Sequence, residues 1–160
     1  MKKYVKQTAL VLFTVIALTV CKSSPGTGSG RQFTDVMNKD WKLVKVHVNA
    51  VDIDFNRATL EGEGFGEIFT LRFDRGTVSG VGAPNRYSSP YKQADNQAVS
   101  ISPMRSTLMA PIHEPEKLKE HDYYTYLHNV YKWSLTGGNL ELHSKGEDGV
   151  EVVLTFALIG

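Results

Sequence analysis

From Trp41 onward the apolar residues recur at every second position in one short run after another, each run closed by turn residues. This period of two, rather than 3.6, restricts the chain to a β-rich fold. Trp41 to Val48 places Lys42, Lys45 and His47 among Trp41, Leu43, Val44, Val46 and Val48, with an irregularity at Leu43-Val44. Val51, Ile53 and Phe55 alternate with Asp52, Asp54 and Asn56, and Phe69, Leu71 and Phe73 alternate with Thr70, Arg72 and Asp74. Asp74-Arg75-Gly76-Thr77 supplies a turn into Val78. Val99 and Ile101 mark a further short strand. Trp133 to Leu135, the turn Gly137-Gly138-Asn139, Leu140 to Leu142 and Val150 to Ile159 read as a closing meander. One segment departs from the rhythm. From Pro115 to Tyr131 there is an acidic first turn, and then Glu120, Tyr123, Tyr124, Leu127, Val130 and Tyr131 recur at three- and four-residue steps, which predicts the one substantial helix. Strands with a single helix make an α+β fold with an antiparallel sheet. About 130 residues, from Arg31 to Gly160, suit one core.

The first 30 residues have a different character. Lys2, Lys3 and Lys6 precede an apolar run from Ala9 to Val20, the layout of a signal peptide over residues 1–20. That run is about a dozen residues, short of the roughly 20 that cross a bilayer as a helix. It ends at Cys21, the only cysteine. Leu18-Thr19-Val20-Cys21 resembles a bacterial lipoprotein signal, in which Cys21 would be the lipid attachment site and the first mature residue. The alternative is a secreted chain with one free thiol, which could form no internal disulfide. Residues 21–32 are rich in Ser, Gly and Pro and read as a tether from Cys21 to the domain at 33–160. The expected location is therefore the bacterial cell envelope, on the periplasmic or outer-membrane side, with the membrane as partner through the lipid at Cys21. The chain carries 18 basic and 17 acidic side chains; without Lys2, Lys3 and Lys6 the balance is 15 against 17. A domain near −2 has no electrostatic footprint for nucleic acid.

Thr70-Leu71-Arg72-Phe73-Asp74, then Val78-Ser79-Gly80, then Asn85-Arg86-Tyr87-Ser88-Ser89-Pro90-Tyr91 resemble the signature of the META domain, the family of HslJ-like heat-shock lipoproteins. Ser102 to Ala110 resembles that family's threonine-x-methionine-alanine segment, here Thr107-Leu108-Met109-Ala110. Tyr123, Leu127, Leu135, Leu140, Leu142, Leu154 and Phe156 continue its helix and last strands. The resemblance implies a strongly curled sheet, a partial barrel, with the helix packed across it. It also implies an envelope lipoprotein that is not an enzyme and serves in envelope maintenance, stress response or contact with other envelope proteins. Many members carry a cysteine before the asparagine and another after methionine-alanine; these positions are Pro84 and Pro111 here. If the family cysteines pair, this chain lacks the pair as a unit, and with it about 2–4 kcal/mol.

The loop from Gly80 to Tyr87 is the best candidate site. Asn85 can hydrogen-bond neighbouring backbone, and Arg86 and Tyr87 offer charge and an aromatic face. Asn85, Arg86, Tyr87, Tyr91, Thr107 and Met109 form the candidate set, either as ligand contacts or as structure, with Asn85 bracing the loop, Tyr87 and Tyr91 packed beneath it, and Thr107 and Met109 in a support segment leading into the helix. An alternative function is binding of a small apolar ligand or lipid in a pocket lined by Tyr123, Tyr124, Leu127 and the Phe69 to Phe73 strand. Metal and cofactor chemistry are not expected. Asp52, Asp54, Asn56 and Glu63 have calcium-loop spacing, but Arg57 stands where that loop needs glycine. His47, His113, His121, His128 and His143 are scattered, with no paired ligand motif. Gly62 to Glu67 lacks the Lys-Ser/Thr of a phosphate loop and reads as a hairpin loop. No serine has a nucleophile-elbow context.

Overall fold

A computed structural model describes residues 31–111 and 114–160. The expected signal peptide, Cys21 and nearly all of the tether lie outside the described residues. Ten strands form one antiparallel sheet: β1 (Asp40–Val48), β2 (Val51–Ile53), β3 (Thr70–Phe73), β4 (Thr77–Val81), β5 (Arg86–Gln93), β6 (Val99–Ile101), β7 (Arg105–Ser106), β8 (Lys132–Thr136), β9 (Asn139–Lys145) and β10 (Glu151–Leu158). The main path runs β6-β5-β4-β3-β1-β10-β9-β8, with β2 added to β1 and β7 to β5. The sheet curls until its ends meet. Val99 N–H donates to the Tyr131 carbonyl at 3.2 Å and Trp133 N–H to the Gln97 carbonyl at 3.0 Å. The result is the α+β fold expected, a nearly closed barrel-like curl with one main helix.

The irregularity at Leu43-Val44 is a β-bulge. Leu43 faces Phe156 and Lys45 faces Thr155, so Val44 is the extra residue. The bulge shifts the alternation by one and keeps Trp41, Leu43 and Val46 all buried. Strands β3 and β10 follow the same rule without interruption: Leu71 and Phe73, then Val152, Leu154 and Phe156, are buried while their neighbours are not.

Two plugs fill the barrel. At one end a 3₁₀ turn, Phe33–Asp35, inserts Phe33 among Phe73, Tyr91 and Trp133, with ring centroids 5.1, 5.5 and 5.2 Å away. At the other end lies the main helix, α2 (Glu120–His128), which presents Tyr123 and Leu127, both 0 % exposed. Tyr123 packs edge-on against Phe69 at 5.1 Å, and its hydroxyl joins that of Tyr87 on the Thr70 carbonyl. A backbone carbonyl can turn into the core here because Gly80 lies beside it; a β-carbon at residue 80 would come within 2.0 Å of that oxygen. Among the described residues, no helix is long and apolar enough to cross a membrane.

Three local expectations are corrected. The alternation from Val51 to Phe55 stays a strand only to Ile53. Asp54 accepts the Asn56 N–H at 2.9 Å and Asn56 caps a short helix, α1 (Arg57–Gly62), by accepting the Thr59 N–H at 3.2 Å. Gly62 to Glu67 is the end of that helix and the turn beyond it, not a hairpin loop. The helix read from Pro115 begins at Glu120, because residues 115–118 form a separate turn closed by Leu118 N–H on the Pro115 carbonyl.

Candidate functional site

Strands β4 and β5 reach further than the sequence suggests, and only Gly82 to Asn85 remain as the connection between them. Its carbonyls and amides cannot follow the ladder, so they need other partners. Gly82 N–H closes the turn on the Asn85 carbonyl at 2.6 Å. Ala83 N–H and Asn85 N–H both point at Glu120 Oε1, at 2.6 and 2.8 Å. Asn85 Nδ2 donates to Glu120 Oε2 at 2.7 Å and to the Met109 carbonyl at 3.1 Å. Asn85 Oδ1 accepts from Thr107 Oγ1 and from Met109 N–H, each at 2.7 Å. The Tyr124 hydroxyl lies between the Asn85 carbonyl and Glu120 Oε1, at 3.1 and 3.2 Å. Asn85 is 5 % exposed, and all of its polar groups are used.

The arrangement joins three separate pieces of chain: the β4–β5 turn, the extended segment after β7, and the first turn of α2. The Glu120 carboxylate receives four donors and, among the described residues, no cation. Burial, and next the Glu120 charge, push the Tyr124 hydroxyl well above the usual phenol range, so it stays a donor. Gly82 is required for the approach, since a β-carbon there would lie 2.5 Å from both Glu120 Oε1 and the Tyr124 hydroxyl. Thr107 Oγ1 donates to Asn85 and accepts from Arg86 N–H at 3.2 Å. No buried side-chain nitrogen or oxygen among the described residues lacks a partner.

Of the candidate residues, Asn85, Thr107 and the Met109 backbone come together. The Met109 side chain is exposed. Arg86 contributes its backbone and turns its side chain outward. Tyr87 points to the opposite face of β5, into the core, where burial raises its hydroxyl well above the usual range. Tyr91 sits toward the other end of β5 and donates to the Asp74 carbonyl at 2.8 Å. Glu120 is absent from the sequence-derived candidates, Tyr124 enters there only as lining of an apolar pocket and Gly82 only as part of the loop, although one signal was present: Glu120 is a carboxylate on an otherwise apolar and aromatic stripe.

Around this brace lie two open hollows. One, of about 430 Å³, is bordered by Ser106 to Ala110 and by Glu120, His121 and Tyr124. The other, about 720 Å³, is a groove on the outer face of β1, β3 and β4. Its charges are largely paired: Lys42 with Glu61 at 2.5 Å and Arg72 with Asp40 at 3.1 Å. The calcium-like spacing at Asp52 does not assemble. Asp52 pairs with Lys45 and His47, and Arg57 donates to the carbonyls of Leu43, Gly66 and Ile68. Among the described residues no cluster suited to a metal ion is found.

The family model of the META domain matches residues 34–156. No curated protein matches the sequence. Among solved structures, the chain is similar to a protein from Burkholderia xenovorans determined by NMR, with a TM-score of 0.57, 16 % identity and coverage of 99 % of both chains. It is also similar to a DUF4847 family protein from Bacteroides vulgatus, with a TM-score of 0.53 and 15 % identity over 78 % of this chain and 95 % of that one. At these identities the likeness concerns the fold.

Proposed function

The chain belongs to the META domain family, and from that footing we propose that it is a non-enzymatic envelope lipoprotein that acts by surface contact with other envelope components. Its role in this reading is envelope maintenance or stress response, with a lipid on Cys21 holding the domain beside a membrane. One observation carries the non-enzymatic part. The most elaborate polar cluster of the domain, around Asn85 and Glu120, spends its hydrogen-bonding capacity on its own backbone and side chains. A catalytic or ligand-holding cluster keeps groups aimed at a position that substrate can occupy. Here the polar groups are braces, and the chemistry left for function lies on the surface.

The space that an apolar ligand would need between helix and sheet is taken by side chains. Tyr123, Leu127, Phe69 and Phe73 are each 0 % exposed. Attachment rests on the sequence layout: a basic start, a short apolar run, and a lone cysteine before a polar tether. The intact mass of the protein extracted from its native membranes, beside a Cys21→Ser variant, tests it. The expected result is a chain that starts at Cys21 and carries added acyl mass, absent in the variant. An unmodified mass would overturn the anchor and remove the main support for an envelope role.

A further inference from the structure

The segment from Arg105 to Pro111 runs along the side of β5 as an extended edge, with every residue exposed. Its inner side is engaged by β5 and the turn before it. Thr107 N–H donates to the Arg86 carbonyl at 3.0 Å, and Met109 bonds Asn85 through both its N–H and its carbonyl. Its outer side is not, for the alternate residues Leu108 and Ala110 make no hydrogen bond among the described residues. Leu108 is 98 % exposed. Natural sheets blunt such edges with lysine, proline or a covering element. This one has no proline or lysine from Arg105 to Ala110, and Asn85 ties it down at Thr107 and Met109.

The surroundings specify what fits. One side of the edge opens on the hollow of about 430 Å³ beside His121 and Tyr124. On the other face, Arg105 pairs across from Ser88, which sets it diagonal to Arg86. Neither guanidinium has an ion-pair or hydrogen-bond partner among the described residues. We propose that the edge at Arg105 to Ala110 is a docking site for an extended acidic peptide segment of a partner protein, added to the sheet as a further strand. Backbone bonds to Leu108 and Ala110 supply the affinity, side chains on one face of the peptide enter the hollow, and carboxylates on the other face meet Arg86 and Arg105. The proposal rests on the reading of the domain as an interaction module.

The test uses the full chain in detergent and two capped peptides, Val-Glu-Val-Glu-Val-Glu and its lysine counterpart, followed by amide NMR. The glutamate peptide is expected to shift the Leu108 and Ala110 amides and to slow their exchange. It should bind about tenfold more tightly than the lysine peptide. Arg105→Glu should reverse that order. Leu108→Pro removes an N–H that folding does not use, and should abolish binding with an unchanged melting temperature. Unshifted amides at 105–110, equal affinity for both peptides, or full binding by Leu108→Pro would each overturn the proposal. Self-association that Leu108→Pro dissolves would also overturn it, by making a second copy the occupant. Cross-linking in native membranes that captures the same proteins with Leu108→Pro as without it would overturn the edge and leave the interaction reading standing.

Discussion

Replacing Glu120 with glutamine keeps the size of the side chain and removes its charge, so it isolates what the carboxylate does. Oε1 takes Ala83 N–H, Asn85 N–H and the Tyr124 hydroxyl, while Oε2 takes Asn85 Nδ2. A glutamine oxygen at the Oε1 position keeps three donors but sets its NH₂ against Asn85 Nδ2. Asn85 cannot flip to relieve this, because its Oδ1 already receives Thr107 Oγ1 and Met109 N–H. One hydrogen bond to a charged acceptor is lost and three are weakened, which costs about 2 kcal/mol. Glu120→Ala also orphans two buried N–H groups, at about 1–3 kcal/mol each, with water entering from the adjoining hollow to offset part; about 3 kcal/mol is expected. Urea unfolding followed by circular dichroism gives both values, with the slope unchanged if only stability has moved. A Glu120→Gln protein within about 0.5 kcal/mol of the parent would refute the idea that the carboxylate braces the turn. Asn85→Asp checks it from the other side. Two carboxylates at the 2.7 Å separation cannot both ionise, so one holds its proton in the folded state. Relative to the parent, that variant should lose stability as pH rises above about 4, because its folded state then binds more protons than its unfolded chain.

Leu127→Ala should cost about 2–5 kcal/mol, since Leu127 is fully buried under α2; a loss below about 0.5 kcal/mol by the same urea assay would mean that the helix is wrongly oriented. Tyr87 and Tyr123 are pushed upward chiefly by burial, so above pH 10 the unfolded chain loses protons that the folded one keeps. Stability should then fall by about 1.4 kcal/mol per pH unit for each, with tyrosinate absorbance rising in the same transition that loses the sheet signal. Tyr123→Phe should make that slope shallower, and a sheet signal intact after all the tyrosines ionise would contradict the packing. Pro84→Cys with Pro111→Cys should form a disulfide under oxidising refolding, because Asn85 and Met109 already touch; a folded protein that stays reduced, by mass after alkylation, would count against the alignment with the family.

Most strands were legible because one face of the sheet is buried and each strand repeats that fact every two residues. Even the bulge left a trace, as two adjoining apolar residues at Leu43-Val44. The short helix α1 was hidden, since Val51, Ile53 and Phe55 alternate like a strand while Asn56 ends the strand by a local side-chain bond that periodicity does not register. The site was half legible. Asn85, Thr107 and Met109 stood out through the family resemblance, but Glu120 lies 35 residues from Asn85 and nothing local announces their contact. Reading Glu120 as an oddity of the helix stripe would have found it. Tyr87 and Tyr91 follow the packing alternative rather than the ligand-contact one, since strand alternation sends their rings inward.

The pairing of β1 with β10 sets the order in which this domain can be built. Trp41 faces Leu158 and Val48 faces Val152, so the earliest of the described strands completes its ladder with the latest of them. As the chain emerges amino end first, the hairpins β3–β4–β5 can form early, but one edge of β1 waits for β10, Glu151–Leu158. A nascent chain that has not released Leu158 therefore cannot seal its barrel. The domain stays threadable until β10 has emerged, and a truncation of β10 should leave β1 without its partner rather than merely shorten the fold.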